Sequence, residues 1–200
     1  MLKQKIQPHL PTLSLAIICV ILQIIWHNSV STEPNSLIFY NFIPLEQQPL
    51  ALITATLLHT NINHLLMNFA AYFLIYHYSF TALKSWKMPL VTMICGVGAI
   101  LGFAATSTEN TSLVGLSGAL HGCLVYMAIC EIKDSPKLMA ITLVCVIAKI
   151  TYEQIFGASS LTVELIAAKV ATECHLYGAI TGGLLAGIVK IRAATSASHS

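Results

Sequence analysis

Two residues of this sequence could provide a serine nucleophile and an imidazole base. Ser117 and His175 each lie near one end of an apolar segment, and each is followed by two glycines spaced four apart, namely Gly118 and Gly122 after the serine and Gly178 and Gly182 after the histidine. Such pairs let two transmembrane helices approach closely. If the two pairs face each other, Ser117 comes within hydrogen-bonding distance of His175, as a base-activated serine requires.

A third apolar segment carries polar residues that could assist the same reaction. His64 and Asn68 are four residues apart, so they lie on one face of a helix. Together with the backbone N–H of Ser117 they could donate hydrogen bonds to the oxyanion of a tetrahedral intermediate. Polar side chains in membrane spans are costly, which favours a function for this set.

Each of these signals also has a purely structural explanation. A serine in a membrane helix commonly bonds to a carbonyl of its own helix, and G-x-x-x-G can be packing alone. A membrane histidine can be a metal ligand or a proton relay as readily as a base. The G-x-S-x-G elbow of soluble hydrolases is absent because residue 119 is Ala, and no strand is predicted before it. The catalytic interpretation therefore depends on the combination.

The composition requires lipid around much of the chain. Of the 200 residues, 56% are apolar and 9% are charged, against about 25% charged in a typical globular protein. The net charge of +2, without a basic run, argues against a nucleic-acid partner. No C-x-x-C pair occurs, so we expect small apolar packing roles rather than zinc or disulfides for the six cysteines: Cys19, Cys95, Cys123, Cys130, Cys145 and Cys174.

Six apolar segments predict an all-α bundle of six transmembrane helices in one domain, residues 1–192, followed by a short polar tail at 193–200. The segments are 10–30, 62–80, 88–105, 113–132, 138–152 and 174–191. The first could instead be a signal peptide, but no small-x-small cleavage site follows Trp26. The connection between the first two segments contains Pro34, Pro44 and Pro49, and we expect a structured segment at the membrane interface there.

The distribution of basic residues predicts the orientation. One side of the six-span arrangement holds Lys3, Lys5, Lys84, Lys87, Lys133, Lys137, Lys190 and Arg192. The other side holds only Lys169, so both termini are predicted to be cytoplasmic. Ser117 and His175 then lie near the outer face of a bacterial-type cytoplasmic membrane. Lys149 and Glu153, four apart in or near the fifth segment, are interpreted as a snorkelling ion pair at a helix end.

Three stretches resemble the rhomboid family of intramembrane serine proteases: HTNINHLLMN at 59–68, GLSG at 115–118 and HLYGAITG at 175–182. They occur in the family's order on the second, fourth and sixth segments. The resemblance implies a rhomboid-like fold and a Ser117–His175 dyad without a third acid. It also implies that His64 and Asn68 stabilise the oxyanion and that His59 helps to order the site, with Gly115 preceding the nucleophile.

The departures from the family pattern point to one branch. His121 occupies a position that is commonly a Tyr stacked under the catalytic His, and Cys174 replaces an expected Ala. Leu50 and Ala51 replace a Trp-Arg pair in the first outer loop, so that loop must be held differently. GLSGALHG at 115–122 and HLYG at 175–178 resemble rhombosortases. That branch implies cleavage of proteins with a C-terminal anchor made of a Gly-Gly motif, one hydrophobic helix and a basic end.

We therefore expect an intramembrane endopeptidase whose partners are the lipid bilayer and membrane-anchored protein substrates with one span, and which needs no metal or cofactor. The 156–172 connection, with Gly157 at its start, is predicted to form a lid. One alternative is an inactive rhomboid-like protein that binds membrane helices. Another is a metal or haem protein that uses His59, His64, His121 and His175, although the bundle is expected to lack acidic partners for such a site.

Overall fold

The computed structural model describes residues 9–28, 34–108 and 110–198, and most of them are helical. The helices are α1 (Leu10–Asn28), α2 (Ala51–Leu57), α3 (Ile62–Tyr78), α4 (Lys87–Thr106), α5 (Ser117–Cys130), α6 (Pro136–Phe156), α7 (Ser160–Ile166) and α8 (Thr172–Ser198). Four of them, α1, α4, α6 and α8, are long and apolar enough to cross a membrane. The other two predicted spans, α3 and α5, are shorter, with 17 and 14 residues.

Helix α5 lies at the centre of the bundle, in contact with α3, α4, α6 and α8. Its closest neighbour is α8, and glycines make that approach possible. A Cβ atom added to Gly178 would overlap the carbonyl oxygen of Gly118, and one added to Gly182 would overlap that of Gly122. The two G-x-x-x-G pairs therefore face each other, as predicted from the sequence.

The connection between α1 and α3 is structured over its described part, residues 34–61. It contains strand β1 (Phe39–Tyr40), a 3-10 turn at Leu45–Gln47 and helix α2. Strand β1 pairs antiparallel with β2 (Ser112–Leu113), which lies four residues before Ser117. The expectation that no strand precedes Ser117 was thus wrong, because two residues are too few to produce a recognisable period in the sequence.

A buried glutamine fixes this connection, in which Leu50 and Ala51 replace the Trp-Arg pair that the rhomboid resemblance leads one to expect. The Gln48 side-chain oxygen accepts a hydrogen bond from the backbone N–H of Tyr40 at 2.9 Å, and its Nε2 donates to the carbonyls of Tyr40 and Ile43 at 2.6 Å each. One side chain therefore satisfies three main-chain groups of a turn that is packed away from water.

The opposite end of α5 is anchored by Glu131, which is 1% exposed. Its carboxylate accepts hydrogen bonds from the backbone N–H groups of Phe80, Thr81 and Ala82 and from the Ser79 hydroxyl, at 2.6–3.0 Å. Burial alone would raise the pKa of this carboxyl, but the four donors outweigh it and the pKa is lowered. The ionised carboxylate thus joins the α3–α4 turn to the end of α5.

Several helix ends differ from the predicted boundaries. The fourth begins at Ser117 rather than 113, because β2 and a turn at Gly115 precede it. The last extends to Ser198, so the described part of the predicted polar tail is helical. Residues 29 and 30 of the first predicted segment, Lys3, Lys5, and residues 199–200 lie outside the described residues.

Candidate active site

Ser117 is the first residue of α5, at the end of a turn that requires glycine. Gly115 has φ +128°, and an added Cβ would lie 2.7–2.8 Å from the ring atoms of His64. The Gly115 N–H donates to the carbonyl of Ala55 at 2.9 Å, which joins the turn to α2. A side chain at 115 would be strained and would also displace the imidazole, so the loop that presents Ser117 depends on this glycine.

His175 lies in the first turn of α8 with 4% of its surface exposed. Its Nε2 is 3.0 Å from Ser117 Oγ, and its Nδ1 is 2.7 Å from a carboxylate oxygen of Glu153. An ionised carboxylate can only accept, so Nδ1 must carry the proton. The Nε2 lone pair then points at the serine hydroxyl, which is the arrangement of a general base poised to take the Ser117 proton.

The interpretation of Lys149 and Glu153 as an ion pair near a helix end is confirmed, but it is incomplete. The ion pair with Lys149 exists, at 2.5 Å between Nζ and Oε1. Glu153 is nevertheless buried, with 8% of its surface exposed, and its second oxygen contacts His175. The expectation that no acid lies beside His175 is wrong. The four-residue spacing explained the pair locally, whereas contact with α8 depends on how α6 packs.

His121 stacks on the ring of His175. Its ring centroid lies 4.2 Å from that of His175, with the two planes inclined by 19°. Its Nδ1 is 2.7 Å from the carbonyl oxygen of Ser117, which can only accept. His121 therefore carries its proton on Nδ1 and is fixed to the first turn of α5.

His64 and Asn68 are buried on one face of α3, as their spacing predicted. The backbone N–H of Thr60 donates to His64 Nδ1 at 3.4 Å, so the remaining proton of a neutral ring is on Nε2. The Nδ2 of Asn68 has no hydrogen-bond partner among the described residues. Both side chains line one cavity with Ser117, so each offers an N–H donor to that space.

Two cavities meet at Ser117. The larger, about 450 Å³, lies between α3 and α6 and is lined by His64, Asn68, His121, Tyr152, Glu153 and His175 among others. The smaller, about 190 Å³, lies on the side of α2 and α4, and its lining includes the small residues Ala55, Gly96, Ala99, Gly115 and Gly118. Space is therefore available on both sides of Ser117, and more of it lies on the side of α3 and α6.

The connection between α6 and α8 covers this region through α7. The Thr60 hydroxyl donates to the Ile166 carbonyl at 2.8 Å, and the side-chain amides of Asn61 and Asn63 donate to the Leu165 carbonyl at 3.0 and 3.3 Å. Ile166 is buried and lines both cavities. The end of α7 is thereby attached to the start of α3 by three side-chain bonds.

Comparison with protein families agrees with the geometry. A model of the rhomboid domain matches residues 46–192, which is most of the chain. The chain belongs to the rhomboid family. The family consists of intramembrane proteases and related inactive members, and it acts on membrane proteins within the bilayer. Comparison with curated proteins gives no significant match.

This rhomboid is a multi-pass membrane protein whose first helix lies outside the matched region. Helix α1 nevertheless reaches the site through Gln23. Its side chain accepts from the His59 N–H at 2.9 Å and donates to the His59 carbonyl at 2.8 Å. Neither the composition of α1 nor the family motifs pointed to this residue, and only the isolated polar character of Gln23 in an apolar segment could have done so.

His59 itself lies in the connection between α2 and α3. It is fully buried, and its ring meets that of His64 edge to face with centroids 4.9 Å apart. Burial first, and then the neighbouring His64, lower the pKa of His59 to about 3. His59 is therefore neutral at physiological pH and supports the His64 ring by packing.

A cluster of three possible metal ligands occurs in this rhomboid. Donor atoms of His121, Glu153 and His175 lie within 4.8 Å of one another. The expected lack of acidic partners was thus wrong. The two imidazoles, however, are stacked almost parallel, and the lone pairs of stacked rings lie in separate planes. Both His175 nitrogens are already bonded, to Ser117 and to Glu153.

Proposed function

We propose that the protein is an intramembrane serine endopeptidase in which Ser117 is the nucleophile and His175 the general base. The observation that carries the proposal is the 3.0 Å contact between Ser117 Oγ and a His175 Nε2 whose partner nitrogen holds the ring proton. The purely structural explanations of Ser117 and His175 do not account for this contact. A serine bonded only within its own helix would not face an imidazole of another helix.

The reaction follows from these groups. Ser117 Oγ attacks the carbonyl carbon of the substrate peptide while its proton passes to His175 Nε2. The oxyanion forms in the space lined by His64 and Asn68, whose N–H groups donate to it together with the backbone N–H of Ser117. His175 then protonates the leaving amine. Water, activated by the same base, hydrolyses the acyl-enzyme.

The small cavity supports a preference for small residues at the cut. Its walls leave about 190 Å³, and glycine or alanine forms much of them. Glycines also weaken the substrate helix, by about 1 kcal/mol each relative to alanine, which helps the scissile bond to leave its helical hydrogen bonds. We therefore propose a rhombosortase-like substrate, a protein with a C-terminal Gly-Gly anchor, cut near the outer face of the cytoplasmic membrane.

The topology belongs to the same proposal. Besides the four long helices, α3 and α5 cross the bilayer as short spans, so an even number of spans places both termini on one side. The basic residues on that side, such as Lys84, Lys133 and Arg192, make it the cytoplasmic side. Helix α5 is about 21 Å long at 1.5 Å per residue, shorter than a bilayer core of about 30 Å. Because it begins at Ser117, the nucleophile lies below the outer surface, where a recessed and water-accessible site is expected.

The test is co-expression with a reporter that carries a Gly-Gly anchor, followed by membrane fractionation and mass determination of the new C-terminus. We expect the wild type to release the reporter and both Ser117→Ala and His175→Ala to retain it in the membrane. The two residues act as one unit, so the double variant should be no worse than either single variant. Equal release by wild type and Ser117→Ala would overturn the proposed mechanism.

The location of the cut and the labelling of the enzyme test the remaining parts. A serine-directed fluorophosphonate should label the wild type and leave Ser117→Ala unlabelled, whereas a metal- or haem-binding protein would not react. A cut at the cytoplasmic end of the reporter helix would overturn the orientation. Replacing both anchor glycines with leucine should prevent release, and unchanged release would overturn the proposed substrate class.

A further inference from the structure

We propose that Glu153 is the positioning residue for His175, so that the site is a Ser117–His175–Glu153 triad whose acid is held by Lys149. This inference rests on the proposed function and extends it, since the family resemblance implies a dyad without an acid. The geometry is continuous across three helices. Lys149 Nζ donates to Glu153 Oε1, Glu153 Oε2 accepts from His175 Nδ1, and His175 Nε2 faces Ser117 Oγ.

The first argument is the free-energy cost of burying the Glu153 carboxylate. Glu153 lies in α6, a helix otherwise apolar enough to span a membrane, and it is buried. A buried charge is strongly unfavourable without partners. The Lys149 ion pair alone could form in an exposed position, because half of the Lys149 side chain is exposed. Burial of Glu153 against His175 is therefore an arrangement that the ion pair does not require.

The second argument concerns the tautomer. His175 can act as a base toward Ser117 only when its proton is on Nδ1, and Glu153 is the acceptor that holds it there. During attack the Ser117 proton moves to Nε2, the Nδ1 proton stays in place, and the imidazolium is stabilised by the adjacent carboxylate. Glu153 itself gains no proton, and Lys149 keeps the carboxylate ionised by donating to its other oxygen.

Other groups that face His175 do not replace this role. Lys149 shares α6 with Glu153, His121 stacks on the ring from α5, and His64 approaches from α3. The Nδ1 of His121 is bonded to the Ser117 carbonyl, and His64 is bonded to Thr60. Of the described residues in contact with His175, Glu153 therefore supplies the carboxylate that orients the ring.

The decisive variant is Glu153→Gln, because Lys149 determines the orientation of the new side-chain amide. Lys149 donates, so the amide oxygen must face it and the amide NH₂ must face His175 Nδ1. That N–H would force Nδ1 to accept, move the ring proton to Nε2 and leave no lone pair for Ser117. In serine proteases the matching acid-to-amide change lowers kcat by about 10⁴, and we expect about 10²–10⁴ here with little change in KM.

A second substitution distinguishes this mechanism from a structural role. In Lys149→Met/Glu153→Gln the amide is free to flip and to present its oxygen to Nδ1, so kcat should rise above that of Glu153→Gln alone. A purely structural pair would instead lose more activity on losing both members. Glu153→Asp should retain more activity than Glu153→Gln. Glu164→Gln, an exposed carboxyl on α7, is the matched control and should leave kcat unchanged.

The final experiment determines the tautomer of His175 without measuring cleavage. The full-length protein with ¹⁵N-labelled histidine, in a Ser117→Ala background, is studied by NMR with His175→Ala for assignment. We expect a protonated Nδ1 and a bare Nε2 with Glu153 present, and the reverse in Glu153→Gln. An unchanged tautomer, or kcat in Glu153→Gln within about threefold of the wild type, would overturn the triad.

Failure of the proposed function is a separate result. Ser117→Ala would then still release the reporter, while the NMR measurement would still decide the role of Glu153.

Discussion

The imidazole of His121 lies flat against that of His175, with 4.2 Å between ring centroids. The His175 ring is thus held on three sides, by Ser117 at Nε2, Glu153 at Nδ1 and His121 on its face. His121 is itself tied to the Ser117 carbonyl. The position that the family commonly fills with Tyr is filled here by a smaller ring that makes the same kind of contact and adds a bond to the nucleophile's own backbone.

Loss of this stacking should slow the reaction moderately. His121→Ala removes an aromatic contact worth about 0.5–1.5 kcal/mol, so kcat should fall by about 2–10-fold. His121→Tyr keeps a flat ring beside His175 and should retain most of the activity. The measurement is kcat on the anchored reporter in detergent or liposomes. If His121→Ala were as inactive as Ser117→Ala, the residue would belong to the proton-transfer machinery rather than to its support.

The oxyanion donors should affect turnover more than capture. His64→Ala and Asn68→Ala each remove one N–H that faces the space beside Ser117, and each should lower kcat by about 10²–10³. KM should change less, because the donors act on charge that develops during attack. Kinetics with a fluorogenic peptide provide both constants. Variants that altered KM alone would place these side chains on the substrate path.

The glycine contact between α5 and α8 should be intolerant of any side chain. In Gly178→Leu the new side chain meets the Gly118 carbonyl, so the helices must separate and the Ser117–His175 distance must increase. We expect loss of cleavage and a lower melting temperature. Gly187→Leu is the matched control on the same helix, since no atom lies within 4 Å of its added Cβ. Full activity in Gly178→Leu would contradict the close packing.

His59 should make the fold sensitive to acid. Its pKa is about 3 in the folded protein against an ordinary value of 6.5. Below pH 6.5 the unfolded chain therefore binds a proton that the folded chain excludes, and the free energy of unfolding falls as the pH falls. Thermal melting between pH 6.5 and 5 should show this loss, with a weaker slope in His59→Gln. Glu131, whose pKa is lowered from 4.5, contributes only at more acidic pH. An unchanged slope in His59→Gln would contradict the assignment.

The sequence was sufficient for the features that depend on local spacing. Ser117 and His175 were recognisable because each precedes a G-x-x-x-G pair, and His64 and Asn68 because four residues separate them on one helix face. Their mutual contact followed from the expectation that glycine stripes pack together. The helix ends agreed with the predicted segments to within a few residues, except that the last helix continues to Ser198.

The features that could not be predicted depend on tertiary contact or on very short elements. Glu153 had a sufficient local explanation in Lys149, and no residue pattern indicated how α6 is rotated toward α8. Gln48 and Glu131 satisfy main-chain groups of turns, which leaves no periodic signal. The strands β1 and β2, at two residues each, are below the length at which alternation can be seen.

The two hydrogen bonds between the Gln23 side chain and the His59 backbone make the first helix a structural part of the site. A fragment that lacks α1 would leave the buried N–H and C=O of His59 unbonded, at a cost of about 1–3 kcal/mol each. These hydrogen bonds do not require a covalent link between α1 and the rest of the chain. Residues 1–33 expressed as a separate chain should therefore complement residues 34–200, and a Gln23→Leu version of the small fragment should complement poorly. Release of an anchored reporter by the co-expressed pair would show that activity can be controlled by the amount of the fragment that contains α1.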